Sequence, residues 1–296
     1  MMHGILPAAV TPVDDAGCFV PAGMERLLTR LYAAGVHGVY LCGSTGEGML
    51  QSREQRQAVV ETAMACTPRD RHVIVHVGAP SMDEALALSA HAAKAGAHAI
   101  SSLPPASGQF SFADLLRYYE ALARSSELPL LVYYFPDVAP AIATGDQLET
   151  LCALPNVIGV KFTDFDLYRM ANLRRAGRSI FNGRDEVLAA GLLMGADGGI
   201  GTFYNLLPGS FVEIYTAARA GQWDGARAAQ QRVNSLIRIA LGFPLFPAVK
   251  QMLLWSGLDC GPCLPPRGRL DAGQQERLRG ALIDAGFGEL VERARI

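Results

Sequence analysis

Lys161 closes the otherwise apolar run Val157-Ile158-Gly159-Val160-Lys161, and the whole chain holds only three lysines, Lys94, Lys161 and Lys250. A charged amine at the end of a buried strand is costly unless it is paired, neutralised or used. An ordinary lysine has a pKa of about 10.4 and is almost wholly protonated at neutral pH. Desolvation lowers that value and frees the amine to attack a carbonyl, forming a Schiff base. The plain structural alternative is a lysine that snorkels to solvent or pairs with a carboxylate. Gly159 lies two residues earlier on the same strand face, which would leave room beside the amine for a small substrate.

Three other stretches carry groups suited to a small polar ligand. Gly43-Ser44-Thr45-Gly46-Glu47 offers two hydroxyls and exposed backbone N–H groups in a glycine-rich turn, an anion cradle that fits a carboxylate. A capping role for Ser44 or Thr45 is the alternative. Tyr133 and Tyr134 are adjacent on one strand, so one points inward and the other outward. The inward one could lie beside Lys161 and relay a proton. Gly183-Arg184-Asp185-Glu186 and Gly198-Gly199-Ile200-Gly201-Thr202 bring carboxylates that can accept hydrogen bonds from substrate hydroxyls, with glycines that admit a ligand close to the backbone. Asp185 and Glu186 could instead favour the first turn of a helix. His76 reads as a satisfied core histidine, and no His, Cys and carboxylate cluster has metal-ligand spacing.

The elements that must position these residues alternate along the chain. Candidate strands are Ile5–Val10, Gly38–Cys42, His72–Val77, Ala97–Leu103, Pro129–Phe135, Val157–Phe162, Ser179–Asn182 and Gly198–Thr202. Between them lie amphipathic patterns such as Met24–Ala34, Arg53–Cys66, Met82–Ala95 and Phe112–Arg124, several stopping at glycine as in Ala34-Gly35 and Ala95-Gly96. Eight strands, each followed by a helix, predict an α/β fold, the closed (β/α)8 or TIM barrel. A doubly wound open sheet competes, but its dinucleotide fingerprint is missing after the first strand. Phe211–Ala218, Gly225–Leu241, Pro247–Trp255 and Ala272–Ala285 read as further helices. The expected division is a barrel core over residues 1–210, then the last barrel helix and a C-terminal helical extension over 211–296, within one domain. In such a barrel, active residues sit at the C-terminal ends of strands, and the candidates above all fall there.

Composition narrows the function classes. The chain has 296 residues, half of them apolar, and a formal net charge of −2 without a dense basic run, which argues against nucleic acid as a partner. No stretch approaches the roughly 18 uninterrupted apolar residues of a membrane span. The N-terminal MMHGILPAAVTPVDD reads as a first strand and its loop rather than a signal peptide, so a cytoplasmic location is expected. Most of the six cysteines sit in apolar segments, as reduced core thiols do. Cys260-Gly-Pro-Cys263 copies a thioredoxin-type redox motif, but it runs into Leu264-Pro265-Pro266, which cannot continue as a helix interior. It is expected to be a turn.

With those residues in place, the chain resembles the pyruvate-dependent class I lyases that include N-acetylneuraminate lyase and dihydrodipicolinate synthase. The resemblance covers nearly the whole chain. It rests on Gly43-Ser44-Thr45-Gly46-Glu47, on Tyr133 with Pro136 close behind, and on Lys161, 28 positions after that tyrosine. It implies Lys161 as the Schiff-base lysine, Tyr133 as the proton relay, and Ser44 and Thr45 as ligands of the keto-acid carboxylate. It also implies no metal or diffusible cofactor and a homotetramer.

Asn182-Gly183-Arg184-Asp185-Glu186 and Gly195-Ala196-Asp197-Gly198-Gly199-Ile200-Gly201-Thr202 are most similar to N-acetylneuraminate lyase. Thr163, Gly183, Asp185, Glu186, Gly201 and Thr202 then fall where that lyase holds the polyhydroxyl part of its substrate. Dihydrodipicolinate synthase carries an arginine where this chain has Val138. Three positions depart from the lyase pattern. Tyr134 replaces an asparagine, Arg184 replaces an aromatic residue, and Pro104-Pro105-Ala106-Ser107-Gly108 lacks the usual aromatics. A guanidinium at position 184 would suit an extra carboxylate or phosphate on the substrate.

The expected activity is therefore a lyase or aldolase that cleaves a sugar-derived 2-keto acid to pyruvate and an aldehyde. A 2-keto-3-deoxy sugar acid dehydratase or aldolase, or a dihydrodipicolinate synthase-like condensing enzyme, shares the same site. A keto-acid-binding barrel without catalysis is the alternative from a different class.

Overall fold

Eight short apolar runs pair as parallel strands: β1 (Gly4–Pro7), β2 (Gly38–Leu41), β3 (His72–His76), β4 (Ala99–Ser102), β5 (Leu130–Tyr134), β6 (Val157–Phe162), β7 (Ser179–Asn182) and β8 (Gly198–Gly201). The structure is a computed structural model and describes residues 2–105, 110–173 and 177–292. Strand order is β1-β8-β7-β6-β5-β4-β3-β2. The seam between β1 and β2 closes just past Pro7. Ala9 N–H donates to Tyr40 O at 2.9 Å, while Ala8 N–H donates to Gly201 O at 2.9 Å on the other side. The run expected as Ile5–Val10 thus leaves the regular ladder early, because its later residues bond alternately to two neighbours. The fold is a (β/α)8 barrel.

Period-2 alternation sorts the strand side chains into two cores. Leu6, Tyr40, Ile74, Leu131, Tyr133, Phe181 and Ile200 fill the interior of the barrel. Val39, Val75, Ile100, Val132, Val160 and Ile180 face outward against the helices. Those helices are α1 (Pro21–Ala33), α2 (Arg53–Cys66), α3 (Met82–Lys94), α4 (Phe112–Arg124), α5 (Gly145–Cys152), α6 (Leu167–Leu173), α7 (Leu188–Leu193) and α8 (Pro208–Arg219). Each apolar side chain buried between the layers contributes roughly 1.5–3 kcal/mol relative to exposure.

Local sequence explains where the helices start and stop. Ser52, Ser81 and Ser111 accept backbone N–H bonds as N-caps of α2, α3 and α4, and Ser111 forms a reciprocal capping box with Asp114. Gly35 and Gly96 take φ of 86° and 84°, the left-handed conformation that ends α1 and α3. Helices α1 and α8 begin three residues before the periodicity suggests, because Pro21 and Pro208 start them at no hydrogen-bond cost.

Beyond the eighth barrel helix, α9 (Trp223–Ala240), α10 (Leu245–Trp255), α11 (Ala272–Asp284) and α12 (Glu289–Glu292) follow. Val233, Leu236, Val249 and Leu278 from these helices join the outer core. No single helix among the described residues is long and apolar enough to cross a membrane. The pair that passes that test together, α9 and α10, is bent by 113°. Cys260 and Cys263 are buried free thiols, and burial pushes both up to about 12. A redox cysteine needs the opposite shift.

Candidate active site

Lys161 lies on β6 between Val160 and Phe162, which face the helices, so alternation turns its amine into the barrel. The register pairs it with Tyr133 on β5 and Phe181 on β7. The residue is 5% exposed. Its Nζ sits 3.6 Å from the centroid of the Tyr133 ring and 4.8 Å from that of Tyr40. No carboxylate forms an ion pair with it among the described residues. The amine is therefore held by aromatic faces and left open to what enters above it.

The two tyrosines of β5 are cleanly separated. Tyr133 points inward, stacked on Phe135 at 6.2 Å and edge-on to Tyr40 and His76. Tyr134 points outward, where its hydroxyl bonds Asp164 at 3.3 Å and receives a hydrogen bond from Arg169. Burial raises the Tyr134 hydroxyl above its ordinary range. Only Tyr133 can face the cavity. His76 accepts Leu103 N–H through Nε2 at 3.0 Å, whereas its buried Nδ1 has no partner among the described residues. The core reading of this histidine is thus half satisfied. Burial, with Arg56 and Lys161 adding to it, holds the ring well below the usual histidine range and hence neutral.

A cavity of about 200 Å³ opens above Lys161. The structure places all eleven residues singled out in the sequence around it: Lys161, Tyr133, Ser44, Thr45, Thr163, Gly183, Arg184, Asp185, Glu186, Gly201 and Thr202. They come from the last residues of β5, β6 and β8 and from the loops after β2, β6, β7 and β8, at the C-terminal face of the barrel. Thr45 and Thr202 share a hydroxyl hydrogen bond of 2.7 Å, tying the β2 cradle to the end of β8. Thr163 keeps a buried Oγ1 without a partner among the described residues.

Asp185 is buried, and its carboxylate accepts Phe203 N–H at 2.7 Å. Burial pushes its carboxyl up to about 7, with Glu186 adding to the rise, while the Phe203 hydrogen bond and the Lys161 charge oppose it. Its side chain takes the first N–H of the short 3-10 turn Phe203–Asn205 after β8, while Asp185 and Glu186 themselves stand in the first turn of the 3-10 segment Asp185–Val187, as the helix-start alternative expects.

The glycines do something different from what the sequence suggests. They make room for protein before ligand. A Cβ at Gly201 would collide with the Asp185 carboxylate, one at Gly183 with Thr163 Oγ1, and one at Gly159 with Ser179 O. Gly159 therefore lets β6 and β7 approach and does not open space beside the amine. Gly183 and Gly201 still border the cavity, but their missing side chains chiefly admit the groups that line it.

Comparison with known proteins bears on what this arrangement does. The sequence profile of the Dihydrodipicolinate synthetase family matches residues 1–285. The chain belongs to this family. An N-acetylneuraminate lyase of Rhizobium meliloti is 35% identical over 283 residues, 95% of this chain and 94% of that protein. The sialic acid aldolase of Ruminococcus gnavus superposes with a TM-score of 0.90 at 28% identity, over 96% of this chain and 97% of that one. A second structure of that enzyme is of its catalytic lysine mutant. CdNal of Clostridium difficile, in complex with mannosamine, gives a TM-score of 0.91 at 26% identity over 96% and 99% of the two chains. The protein is a pyruvate-dependent lyase of the lysine Schiff-base class and resembles the N-acetylneuraminate lyases within the family.

Sequence reasoning missed several parts of this cavity. Phe135, Phe203, Leu241, Leu245 and Phe246 supply its apolar walls, and the last three come from the end of α9 and the start of α10. Nothing in their local sequence marks them. Glu47 does not face the cavity. It is bound by Lys250 at 3.1 Å and Arg267 at 3.2 Å, and it accepts Leu264 N–H at 3.1 Å. Arg267 also lies over the Phe246 ring at 4.6 Å. The scarcity of lysine was the available signal for Lys250. Ala106, Ser107 and Gly108 lie outside the described residues.

Proposed function

We propose that Lys161 is the Schiff-base nucleophile of a reversible aldol cleavage acting on a sugar-derived 2-keto acid. The observation that carries the reading is the Lys161 amine: buried, without a carboxylate partner among the described residues, and lying 3.6 Å over Tyr133 beneath the cavity. The amine adds to the C2 carbonyl and water leaves, giving an iminium. Tyr133, having given its hydroxyl proton to the departing water, takes the proton of the C4 hydroxyl, the C3–C4 bond breaks, and the aldehyde departs. The electron pair of that bond passes to the iminium nitrogen, leaving an enamine of pyruvate. Protonation at C3 and hydrolysis then free pyruvate and the amine.

Ser44 and Thr45 would hold the substrate carboxylate through hydroxyl and backbone donors. Thr163, Gly183, Asp185, Glu186, Gly201 and Thr202 would hold its hydroxyl-bearing part. N-acetylneuraminate is the leading single substrate, supported by the names of the relatives. This reading needs no metal or diffusible cofactor, and it includes a cytoplasmic homotetramer. Borohydride reduction in the presence of pyruvate, followed by peptide mapping, tests it. A pyruvate-sized adduct on Lys161 is expected; a folded protein without one would overturn the mechanism.

A further inference from the structure

The rim of the cavity opposite the carboxylate cradle carries a cation. Ser44 and Thr45 follow β2, and in the closed ring of eight strands the position across from β2 is β6. Arg184 follows β7, and its guanidinium is braced by rings from the loops after β5 and β6: Phe165 at 4.6 Å and Phe135 at 5.2 Å. A guanidinium held over ring faces at these distances is attracted by them and keeps its N–H groups for hydrogen bonding. One nitrogen, Nη2, donates to Asp137 at 2.6 Å. Asp137 is 65% exposed, so that bond competes with water and is cheap to exchange. The Nε–H is buried and has no partner among the described residues. An N–H donor of a ring-braced, cavity-lining guanidinium is thus unused among the described residues, beside a second that is engaged only by a surface carboxylate.

We propose that Arg184 selects substrates whose distal end, the end remote from the keto acid, carries an anion. A terminal carboxylate or phosphate there would take Nε–H and Nη2–H together in a two-bond fork and displace Asp137 to solvent. Of the neighbouring carboxylates, Asp185 is turned to the Phe203 backbone, and Glu186 lines the same cavity as Arg184. The inference rests on the Schiff-base reading above for the reaction itself and adds the class of substrate.

The test runs the reaction in the condensing direction. Pyruvate is offered with mannose, mannuronic acid or mannose 6-phosphate, three aldehydes that differ only at the carbon farthest from the aldehyde. For the wild-type enzyme, kcat/KM for one of the two anionic aldehydes should exceed that for mannose by about ten- to hundredfold, the size of a charge-assisted hydrogen bond. Which of the two leads distinguishes carboxylate from phosphate. Arg184→Met should bring all three within about threefold, and Asp137→Asn, by freeing Nη2, should lower KM for the favoured anion only. Equal rates for the three aldehydes, turnover of none, or a preference that survives Arg184→Met would overturn the proposal. Pyruvate trapping on the same wild-type sample separates the two failures. An adduct without anion preference sinks this inference alone, whereas the absence of an adduct sinks the Schiff-base reading and this inference with it.

Discussion

Two lysines of the three in this chain are buried to the same degree, Lys161 at 5% and Lys250 at 4% exposure. Their surroundings are opposite. Lys250 is fully engaged: it donates to Thr11 O at 2.9 Å and Pro262 O at 2.7 Å, and it forms an ion pair with Glu47 at 3.1 Å. Lys161 sees two aromatic faces and an open cavity. Burial alone says nothing about role; what distinguishes the two is whether the fold satisfies the ammonium. A fully engaged lysine can do nothing but hold its neighbours. Lys250 holds the β2 loop, through Glu47, to the segment around Pro262 and Leu264, and so stiffens the loop that presents Ser44 and Thr45. Two residues of that loop, Cys42 and Glu47, sit at φ of 57° and 56°, a costly conformation for side-chain-bearing residues. The buried ion pair helps hold that strain in place.

The contrast is broken or sharpened by substitution. Lys161→Ala should lower turnover by more than about a thousandfold while shifting stability by less than ~1 kcal/mol, because it removes an amine that nothing in the fold depends on. Steady-state rates and thermal melts on the same sample decide this, and a large loss of stability would mean that Lys161 is structural after all.

Asp185 is the carboxylate nearest in effect to Lys161, yet it bonds the Phe203 backbone instead. Its carboxyl is raised from its ordinary value to about 7, so the folded state holds this proton more tightly than the unfolded chain does. The stability it contributes is fully present below about pH 4 and is lost as pH rises through 7. Asp185→Asn keeps an acceptor for Phe203 N–H and removes the titration. Stability of the variant relative to wild type should therefore climb between pH 4 and 8, by on the order of 4 kcal/mol at most. Denaturation midpoints that track each other across that range would refute the assignment.

Lys250→Met should show the reverse pattern to Lys161→Ala. It leaves Glu47 buried with only Arg267 as a charged partner and should cost about 3 kcal/mol of stability. Any loss of activity should appear in KM for the keto acid, through the loosened β2 loop, and not in adduct formation at Lys161. Urea titration and KM for pyruvate read the two effects separately.

Much of this site was visible in the residues because barrel topology is unusually informative. Once eight strands are spaced along the chain, every strand end becomes a place to look, and Lys161, Ser44, Thr45, Asp185 and Thr202 all lie at one. The Tyr133–Tyr134 pair shows the limit. Alternation states that one faces inward, but only the register, which sets Tyr133 beside Lys161, says which. The glycines show a second limit: Gly201 and Gly183 were read as space for a ligand, and the space is taken by Asp185 and Thr163. The walls contributed by Leu241, Leu245 and Phe246 were out of reach, since no local pattern tells which turn of a distant helix folds over a barrel mouth.

The sequence by itself determined the periodicities, and therefore the barrel, the caps and stops of its helices, and the set of strand-end residues open to chemistry. These depend on interactions within a few residues along the chain. The tertiary structure decided which of two equally buried lysines is left unsatisfied, which tyrosine accompanies it, and that Arg184 faces the cavity braced by Phe135 and Phe165. Each of those depends on partners brought from far along the chain, Glu47 to Lys250, Tyr133 to Lys161 and Phe135 to Arg184. Only closure of the barrel sets such distances.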